Sequence, residues 1–137
     1  MVAIIDATGL VLGRMATHIA KRLIEGEEIE IVNCEKAIVT GTEKRVKANY
    51  MFKRDVGTHR KGPFFPRIPH MMVKRTIRGM IPYQKPSGRE AYKRLKCHLG
   101  VPREFAGKEF ETITIAENRT VQHMTLENLA RDLGANL

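Results

Sequence analysis

The spacing of apolar residues changes twice within the first 32 residues of the chain. The run Val2–Asp6 is apolar and ends in a polar residue, which is typical of a buried parallel strand. Apolar residues then recur at helical spacing from Leu12 to Leu23, and Gly26 follows where a helix would end. The segment Ile29-Glu30-Ile31-Val32 follows and predicts a second strand. The pattern predicts a β-α-β unit, whose crossover is right-handed in nearly all proteins.

Helical periodicity returns between residues 40 and 82. The capping-box spacing at residues 40–43 predicts a helix through about residue 54, with Val46 and Tyr50 on its inner face. A loop at residues 57–69, which contains glycine and proline, then interrupts the helical pattern. Apolar positions between residues 71 and 80 predict another helix, which Pro82 ends because proline cannot continue it.

The last third of the chain predicts two more helices and a strand. A second capping box at residues 87–90 predicts a helix that Gly100 closes, with Lys96 on its outer face. Residues 112–116 alternate in polarity and predict a strand. Thr125 is placed to cap a final apolar-faced helix.

Strands that alternate with helices favour an α/β fold. We therefore predict a three-layer α/β/α sandwich around a small, mainly parallel sheet, with a basic loop containing proline and glycine and with helices flanking that loop. The length of 137 residues is that of one ordinary domain, so residues 1–137 are predicted to form a single domain. The 42% hydrophobic and 28% charged fractions are those of a folded protein.

Positive charge is concentrated between residues 53 and 98. This window holds 13 of the 24 lysines and arginines and two of the 15 acids. Its formal net charge is therefore +11, whereas the whole chain carries +9 and the remainder −2. A local excess of this size repels itself unless a polyanion neutralises it, and nucleic-acid phosphate is the usual polyanion. The alternative interpretation is a solvated basic loop.

The central part of this window, residues 59–67, mixes cations with glycine, proline and the adjacent rings of Phe64 and Phe65. Such a segment can follow an irregular RNA backbone, and its rings can stack on unpaired bases. Buried packing is nevertheless the default for aromatic side chains. We therefore expect Phe64 and Phe65 to pack in the core rather than on bases.

The glycines near the first helix do not form a nucleotide-binding motif. Gly9 and Gly13 are four residues apart, which fits neither the dinucleotide fingerprint nor the phosphate-binding P-loop. Close packing at a tight strand-to-helix turn is favoured over a backbone anion site for both. Arg14 is a candidate phosphate contact beside them.

No other pattern indicates catalysis, a metal or a cofactor. The five histidines include no pair at helical ligand spacing, and neither cysteine lies near one at zinc-finger spacing. Cys34 and Cys97 are expected to stay reduced. Without an apolar run of membrane-span length or a signal-peptide pattern, we expect a cytoplasmic protein with no membrane association.

Three stretches of the chain form a recognisable set. They are Asp6-Ala7-Thr8-Gly9 with Gly13-Arg14-Met15-Ala16, Val32-Asn33-Cys34-Glu35-Lys36 leading to Thr40-Gly41, and Arg78-Gly79-Met80-Ile81-Pro82 with Gly88-Arg89 and Leu95. They resemble the universal large-subunit ribosomal protein thirteen family, and the order and spacing agree over nearly the whole chain. A His-Pro-His run typical of bacterial members is missing, as is a C-terminal extension common in eukaryotic ones, so an archaeal member is favoured.

The resemblance implies a structural protein of the large ribosomal subunit that binds large-subunit rRNA and supports assembly. It implies neighbouring large-subunit ribosomal proteins as further partners, no enzymatic activity, no cofactor and no small-molecule substrate, and a monomer outside the ribosome. Together with the charge pattern it gives these candidate RNA contacts: Arg14, Lys36, Lys53, Arg54, His59, Arg60, Lys61, Arg67, Lys74, Arg75, Arg78, Lys85, Arg89, Lys93, Arg94 and Lys96.

Two alternative functions remain open at this point. One is an off-ribosome regulator that binds messenger RNA, which would use the same basic surface. The other is a nucleotide-dependent enzyme built on the β-α-β unit, and the glycine spacing argues against it.

Overall fold

The computed structural model describes residues 2–136. They form five α-helices, five short strands and three 3-10 turns. The strands are β1 (Val2–Asp6), β2 (Glu28–Val32), β3 (Ile38–Thr40), β4 (Leu95–Cys97) and β5 (His123–Thr125). The α-helices are α1 (Leu12–Ile24), α2 (Glu43–Asp55), α3 (Pro69–Met80), α4 (Pro86–Lys93) and α5 (Leu126–Asp132). The 3-10 turns are Cys34–Lys36, Arg103–Phe105 and Thr114–Ala116.

The main sheet is parallel and has the strand order β1-β2-β4. Ile5 lies opposite Ile31, which in turn lies opposite Cys97. The strands β3 and β5 form a separate antiparallel pair. The predicted β-α-β unit is confirmed, and so is the mixed α/β class with a small, mainly parallel sheet.

The two faces of the main sheet are covered very differently. Alternation along the strands turns Ile5, Ile29, Ile31 and Leu95 to one face, where they join the main core with α1 and α3. The opposite face carries a small cluster of Ile4 and Val32, with Phe105 and Phe110 packed against it. The 3-10 turn Arg103–Phe105 thus contributes the cover on that side.

The prediction of one helix from residue 87 to Gly100 is wrong. The helix α4 begins at Pro86 and ends at Lys93, and the chain then enters β4. Leu95 and Cys97 alternate with the exposed Lys96, and β4 hydrogen-bonds alongside β2. Helical spacing between Ala91 and Leu95 concealed this period-two pattern. Lys96 therefore projects from a strand, not from a helix.

The strand predicted at residues 112–116 is also wrong. Residues Thr114–Ala116 form a 3-10 turn. An isolated bridge joins Glu111 to Ile5 of β1, and a second one joins Glu117 to Leu10 in the turn before α1. The antiparallel pairing of β3 with β5 was not predicted. By contrast, the cap of α5 is confirmed, because the Thr125 hydroxyl accepts a hydrogen bond from the backbone N–H of Asn128 at 3.4 Å.

The two glycines near α1 have different explanations. Gly9 adopts a φ of 72°, a left-handed conformation that favours glycine, which confirms the tight turn. Gly13 lies in the first turn of α1 at an ordinary φ, and a Cβ there would meet no atom within 4 Å. Close packing inside the chain therefore does not explain Gly13, contrary to expectation.

Candidate nucleic-acid interface

Four consecutive parts of the chain form one positively charged surface. They are α2, the loop at residues 57–69, α3 and α4. The helix α2 fully buries only Val46, so most of its length faces outward. We call this surface the cationic face and define it by Lys53, Lys74, Arg75 and Arg78, which lie against its aromatic rings.

The first aromatic group of the cationic face joins α2 to the loop. The rings of Tyr50 and Phe65 meet edge to face with their centroids 5.8 Å apart. The ammonium nitrogen of Lys53 lies 4.7 Å from the Tyr50 centroid and 5.5 Å from that of Phe65. The Arg75 guanidinium carbon lies 5.6 Å from the Phe65 centroid. Phe65 is thus shared between a cation from α2 and one from α3.

The second aromatic group joins α3 to α4. Tyr83 and Tyr92 meet edge to face at 5.3 Å. The Lys74 ammonium nitrogen is 4.9 Å from the Tyr92 centroid, and the Arg78 guanidinium carbon is 5.2 Å from the Tyr83 centroid. Burial raises the pKa of Tyr92 and also that of Tyr50, so both phenols stay neutral at physiological pH.

These cations are positioned by rings rather than by carboxylates. Among residues 2–136, none of Lys53, Lys74, Arg75 and Arg78 has an acidic partner within ion-pair distance. A cation–π contact contributes about 0.5–1 kcal/mol at an exposed site and leaves the positive charge uncompensated. The cationic face therefore holds its charges in fixed places while leaving them available to an anion.

Further predicted contacts project from the loop and from the ends of the helices. A short bridge between Thr58 and Gly62 holds the tip of the loop, with the Gly62 N–H donating to the Thr58 carbonyl at 2.9 Å. The Arg89 guanidinium, also exposed, donates to the Gln84 carbonyl at 3.4 Å. The predicted contacts on these exposed segments are His59, Arg60, Lys61, Arg67, Lys85, Arg89 and Lys93.

Arg14 and Lys36 lie beside the strand-to-helix turn that precedes α1, and both are exposed. The Gly9 N–H donates to the Lys36 carbonyl at 3.1 Å, which joins the two segments. One turn further along α1, the Thr17 hydroxyl lies 3.6 Å from the Met80 sulfur. The N-terminal end of α1 is therefore adjacent to the end of α3, and Arg14 extends the charged surface there.

Arg54, Arg94 and Lys96, like Arg89, are partly engaged inside the protein. Arg54 pairs with Asp55 at 2.9 Å and also donates to the Leu133 carbonyl at 3.3 Å. Arg94 donates to the Leu23 carbonyl at 2.6 Å. Lys96 remains largely exposed but lies 3.7 Å from a Glu30 carboxylate oxygen. Arg54 and Arg94 thus tie helix ends to their neighbours.

The two adjacent phenylalanines of the loop have opposite environments. Phe65 packs against the main core, as expected. Phe64 is 66% exposed, so the expectation that it packs in the core is wrong. The loop can orient only one of two neighbouring rings toward the core between α2 and α3, and Phe65 takes that position.

An exposed stripe on α2, which was not predicted from the sequence, borders the cationic face. Arg45, Asn49, Phe52 and Val56 follow one another at helical spacing, and all four are exposed. Lys44 is exposed on the same helix. The signal was present in the sequence, because Phe52 and Val56 lie at helical spacing from each other but off the face that Val46 and Tyr50 define.

Three acidic side chains outside the cationic face are paired with basic ones. Arg22 binds Glu27 at 2.7 Å and Glu111 at 2.8 Å, and hydrogen bonds to these two carboxylates raise the pKa of its guanidinium. On the outer face of the sheet, a Glu30 oxygen lies 2.9 Å from the His98 ring nitrogen. Negative charge is thereby neutralised internally, whereas the positive charge of the cationic face is not.

Across residues 2–136, no three His, Cys, Asp or Glu side chains gather as a metal site would require. Cys34 and Cys97 are free thiols. No helix in the described part of the chain is both long enough and apolar enough to cross a membrane.

Adjacent residues at the end of α4 offer a test that separates structural cations from exposed ones. Arg94→Met keeps the aliphatic volume but removes the donor to the Leu23 carbonyl, so we expect a loss of about 1–2 kcal/mol in unfolding free energy. Lys93→Met is the matched control, because Lys93 is exposed, and its unfolding free energy should stay within about 0.5 kcal/mol of the wild type. Urea unfolding measures both. Equal unfolding free energies of the two variants would show that the Arg94 hydrogen bond does not contribute to stability.

Comparison with known proteins shows the family of this chain. The sequence model of the family described as ribosomal protein L13 matches residues 1–104. Among similar proteins named large ribosomal subunit protein uL13, that of Archaeoglobus fulgidus is 47% identical, covering 96% of this chain and 86% of its own length. Those of Methanococcoides burtonii and Methanosphaera stadtmanae are 40% and 44% identical, with 96% and 98% of this chain covered and 97% and 99% of their own lengths. These relatives are archaeal, as the resemblance favoured. The chain belongs to the ribosomal protein L13 family.

Proposed function

We propose that this protein is a structural constituent of the large ribosomal subunit, where it binds large-subunit rRNA and supports assembly. The observation that carries the proposal is the cationic face, whose cations rest on aromatic rings and lack acidic partners among the described residues. The names of the relatives support the same function. Neither the messenger-RNA regulator nor the nucleotide-dependent enzyme receives support from them.

The proposed mechanism is electrostatic and relies on a rigid scaffold. The parallel sheet and α1 hold α3, which carries Lys74, Arg75 and Arg78. The Phe65 ring, which Arg75 shares with Lys53, fixes α3 relative to α2. RNA phosphates bind where these cations converge, and the counterions they release favour complex formation. Because phosphate contacts carry little sequence information, recognition relies on the shape of the folded RNA.

The proposal includes the partners and the extent of the functional unit. Residues 1–137 act as one ribosomal-protein domain that is a monomer outside the ribosome, takes no small-molecule substrate and contacts neighbouring ribosomal proteins within the subunit. It is located in the large ribosomal subunit, in the cytoplasm. The candidate contacts predicted from the sequence are retained, with Arg54 and Arg94 assigned mainly to structural support because of their internal hydrogen bonds.

The salt dependence of binding tests this proposal. If about six of the 13 lysines and arginines between residues 53 and 98 contact phosphates, the logarithm of the association constant should fall as the logarithm of salt concentration rises. The slope should be steeper than roughly −4. Filter binding of the full chain to large-subunit rRNA, measured at KCl concentrations from about 50 to 200 mM, gives this slope. A slope between 0 and −1 would mean that the cationic face is merely solvated.

A further inference from the structure

A pocket opens between α2 and α3 at one edge of the cationic face. Its volume is about 470 Å³, and its wall is largely apolar, with Phe52, Val56, Pro63 and Phe65 among the lining residues. Lys53 and Arg75 supply the charge around it, and no acidic side chain lines it. The site therefore combines a flat apolar surface with two positive charges.

The ring of Phe52 has no role in the folded protein that explains it. It is 71% exposed on α2. Within residues 2–136 it pairs with no other aromatic ring, in contrast to Tyr50 on the same helix. A ring left in water at the mouth of a pocket offers a stacking surface to a ligand.

Gly79 is the second feature that the fold does not require. It lies within α3 at an ordinary backbone conformation, and a Cβ built on it would meet no atom within 4 Å. Glycine inside a helix costs roughly 0.5–1 kcal/mol relative to alanine. The bare backbone lines the same pocket as Phe52, so it leaves room for another molecule to approach α3 closely.

We infer that this pocket holds one unpaired nucleotide of the rRNA. The base stacks on Phe52, its phosphate lies between Lys53 and Arg75, and the sugar approaches the bare backbone at Gly79. The Thr76 hydroxyl lines the pocket too, and because it donates to the Met72 carbonyl at 2.9 Å it remains an acceptor for a base or ribose hydrogen. This inference rests on the proposed function and names the part of the RNA that this surface recognises.

Charge complementarity favours a nucleotide over a protein side chain as the occupant. An apolar side chain from a neighbouring protein would cover the apolar wall but leave the positive charges of Lys53 and Arg75 uncompensated. A nucleotide satisfies both features at once, since it carries a flat ring and a phosphate on one unit. Stacking on an aromatic side chain is also the usual way in which proteins hold unpaired bases.

The test compares three variants with the wild-type chain, using large-subunit rRNA transcribed in vitro as the probe. Phe52→Ala removes the stacking surface, and Gly79→Ala places a methyl group in the path of the sugar. Val121→Ala is the control, because Val121 is 94% exposed in a segment outside the pocket. We expect Phe52→Ala and Gly79→Ala each to weaken binding about 10-fold, within the roughly 5- to 150-fold range for one stacked base. The control should bind like the wild type.

Two further measurements separate this effect from others. The salt slope should stay unchanged in both pocket variants because no phosphate contact is removed. The thermal unfolding temperature should be unchanged for Phe52→Ala, and unchanged or higher for Gly79→Ala, so weaker binding cannot be attributed to unfolding.

Wild-type affinity in both variants would overturn the inference while leaving rRNA binding intact. Normal binding to bare rRNA with poor retention in assembled subunits would also overturn it and assign the pocket to a protein neighbour. No binding by the wild type would refute the proposed function itself.

Discussion

Reversing Lys53 and Arg75 to glutamate together should weaken binding to large-subunit rRNA by roughly 100-fold at about 0.1 M salt. Each phosphate contact contributes nearly one unit to the salt slope, which corresponds to about tenfold in affinity at that concentration. The two cations come from different helices but share the Phe65 ring. Their loss therefore removes the centre of the cationic face, and the new carboxylates repel the phosphates.

The matched control for this reversal is Lys21→Glu with Arg119→Glu. Both residues are exposed, lie outside the cationic face, and change the net charge by the same amount. We expect this variant to bind rRNA within about threefold of the wild type, since exposed charges more than about 10 Å from the RNA are largely screened. Circular dichroism should show that both double variants are folded. Similar losses of affinity in both would mean that net charge, and not this surface, governs binding.

Gly88→Ala should strongly destabilise the protein, because it adds a methyl group where α4 packs against backbone. A Cβ at Gly88 would overlap the backbone carbonyl of Pro82, which cannot rotate away as a flexible side chain would. We expect a loss of about 3 kcal/mol in unfolding free energy and a fall of roughly 10 °C in unfolding temperature. The segment that must move also carries Tyr83, so the contact with Tyr92 should be disturbed.

Gly79→Ala controls for the loss of a glycine as such. A Cβ at Gly79 meets no atom of the protein within 4 Å, so its unfolding temperature should be unchanged or higher. Calorimetry of the two variants and the wild type measures the three unfolding temperatures. If Gly88→Ala unfolds at the wild-type temperature, the close approach of α4 to Pro82 does not contribute to stability.

The N-terminal β-α-β unit was predictable because its interactions are local and its apolar periods are clean. The pairs between β1 and β2 join segments separated only by α1. β1 reads as an apolar run, and β2 alternates glutamate with isoleucine before it ends at Val32. The α5 cap was predictable for a similar reason, since Thr125 bonds to a residue three positions on. Local chemistry determined these elements.

The strand β4 was not predictable from the same kind of pattern. Ala91 and Leu95 are both buried and lie at helical spacing, so a continuous helix and a helix followed by a strand give the same signal. The chain forms a strand here because it pairs with Ile29 and Ile31, more than 60 residues earlier in the chain. A three-residue strand gains its stability from that distant partner rather than from its own sequence.

The candidate site shows the same division between local and distant causes. The excess of cations between residues 53 and 98 is visible in the sequence, and the contact of Lys53 with Tyr50 follows from helical spacing. The placement of Arg75 on Phe65 depends on how the loop folds back against α3. Neighbouring cations also differ in environment, because the Arg94 guanidinium donates a hydrogen bond to the Leu23 carbonyl whereas Lys93 is exposed.

The central claim is that the cationic face anchors this protein in the large ribosomal subunit. Its most direct test is to reconstitute large subunits from purified rRNA and the complete set of large-subunit proteins, with this protein supplied as wild type or as either double reversal variant. The fraction that sediments with the particle at moderate salt is then measured. The account predicts that the wild type and the Lys21→Glu, Arg119→Glu variant sediment with the particle, and that the Lys53→Glu, Arg75→Glu variant stays in the unbound fraction. Retention of that variant at the wild-type level, or absence of the wild type from the particle, would contradict the account.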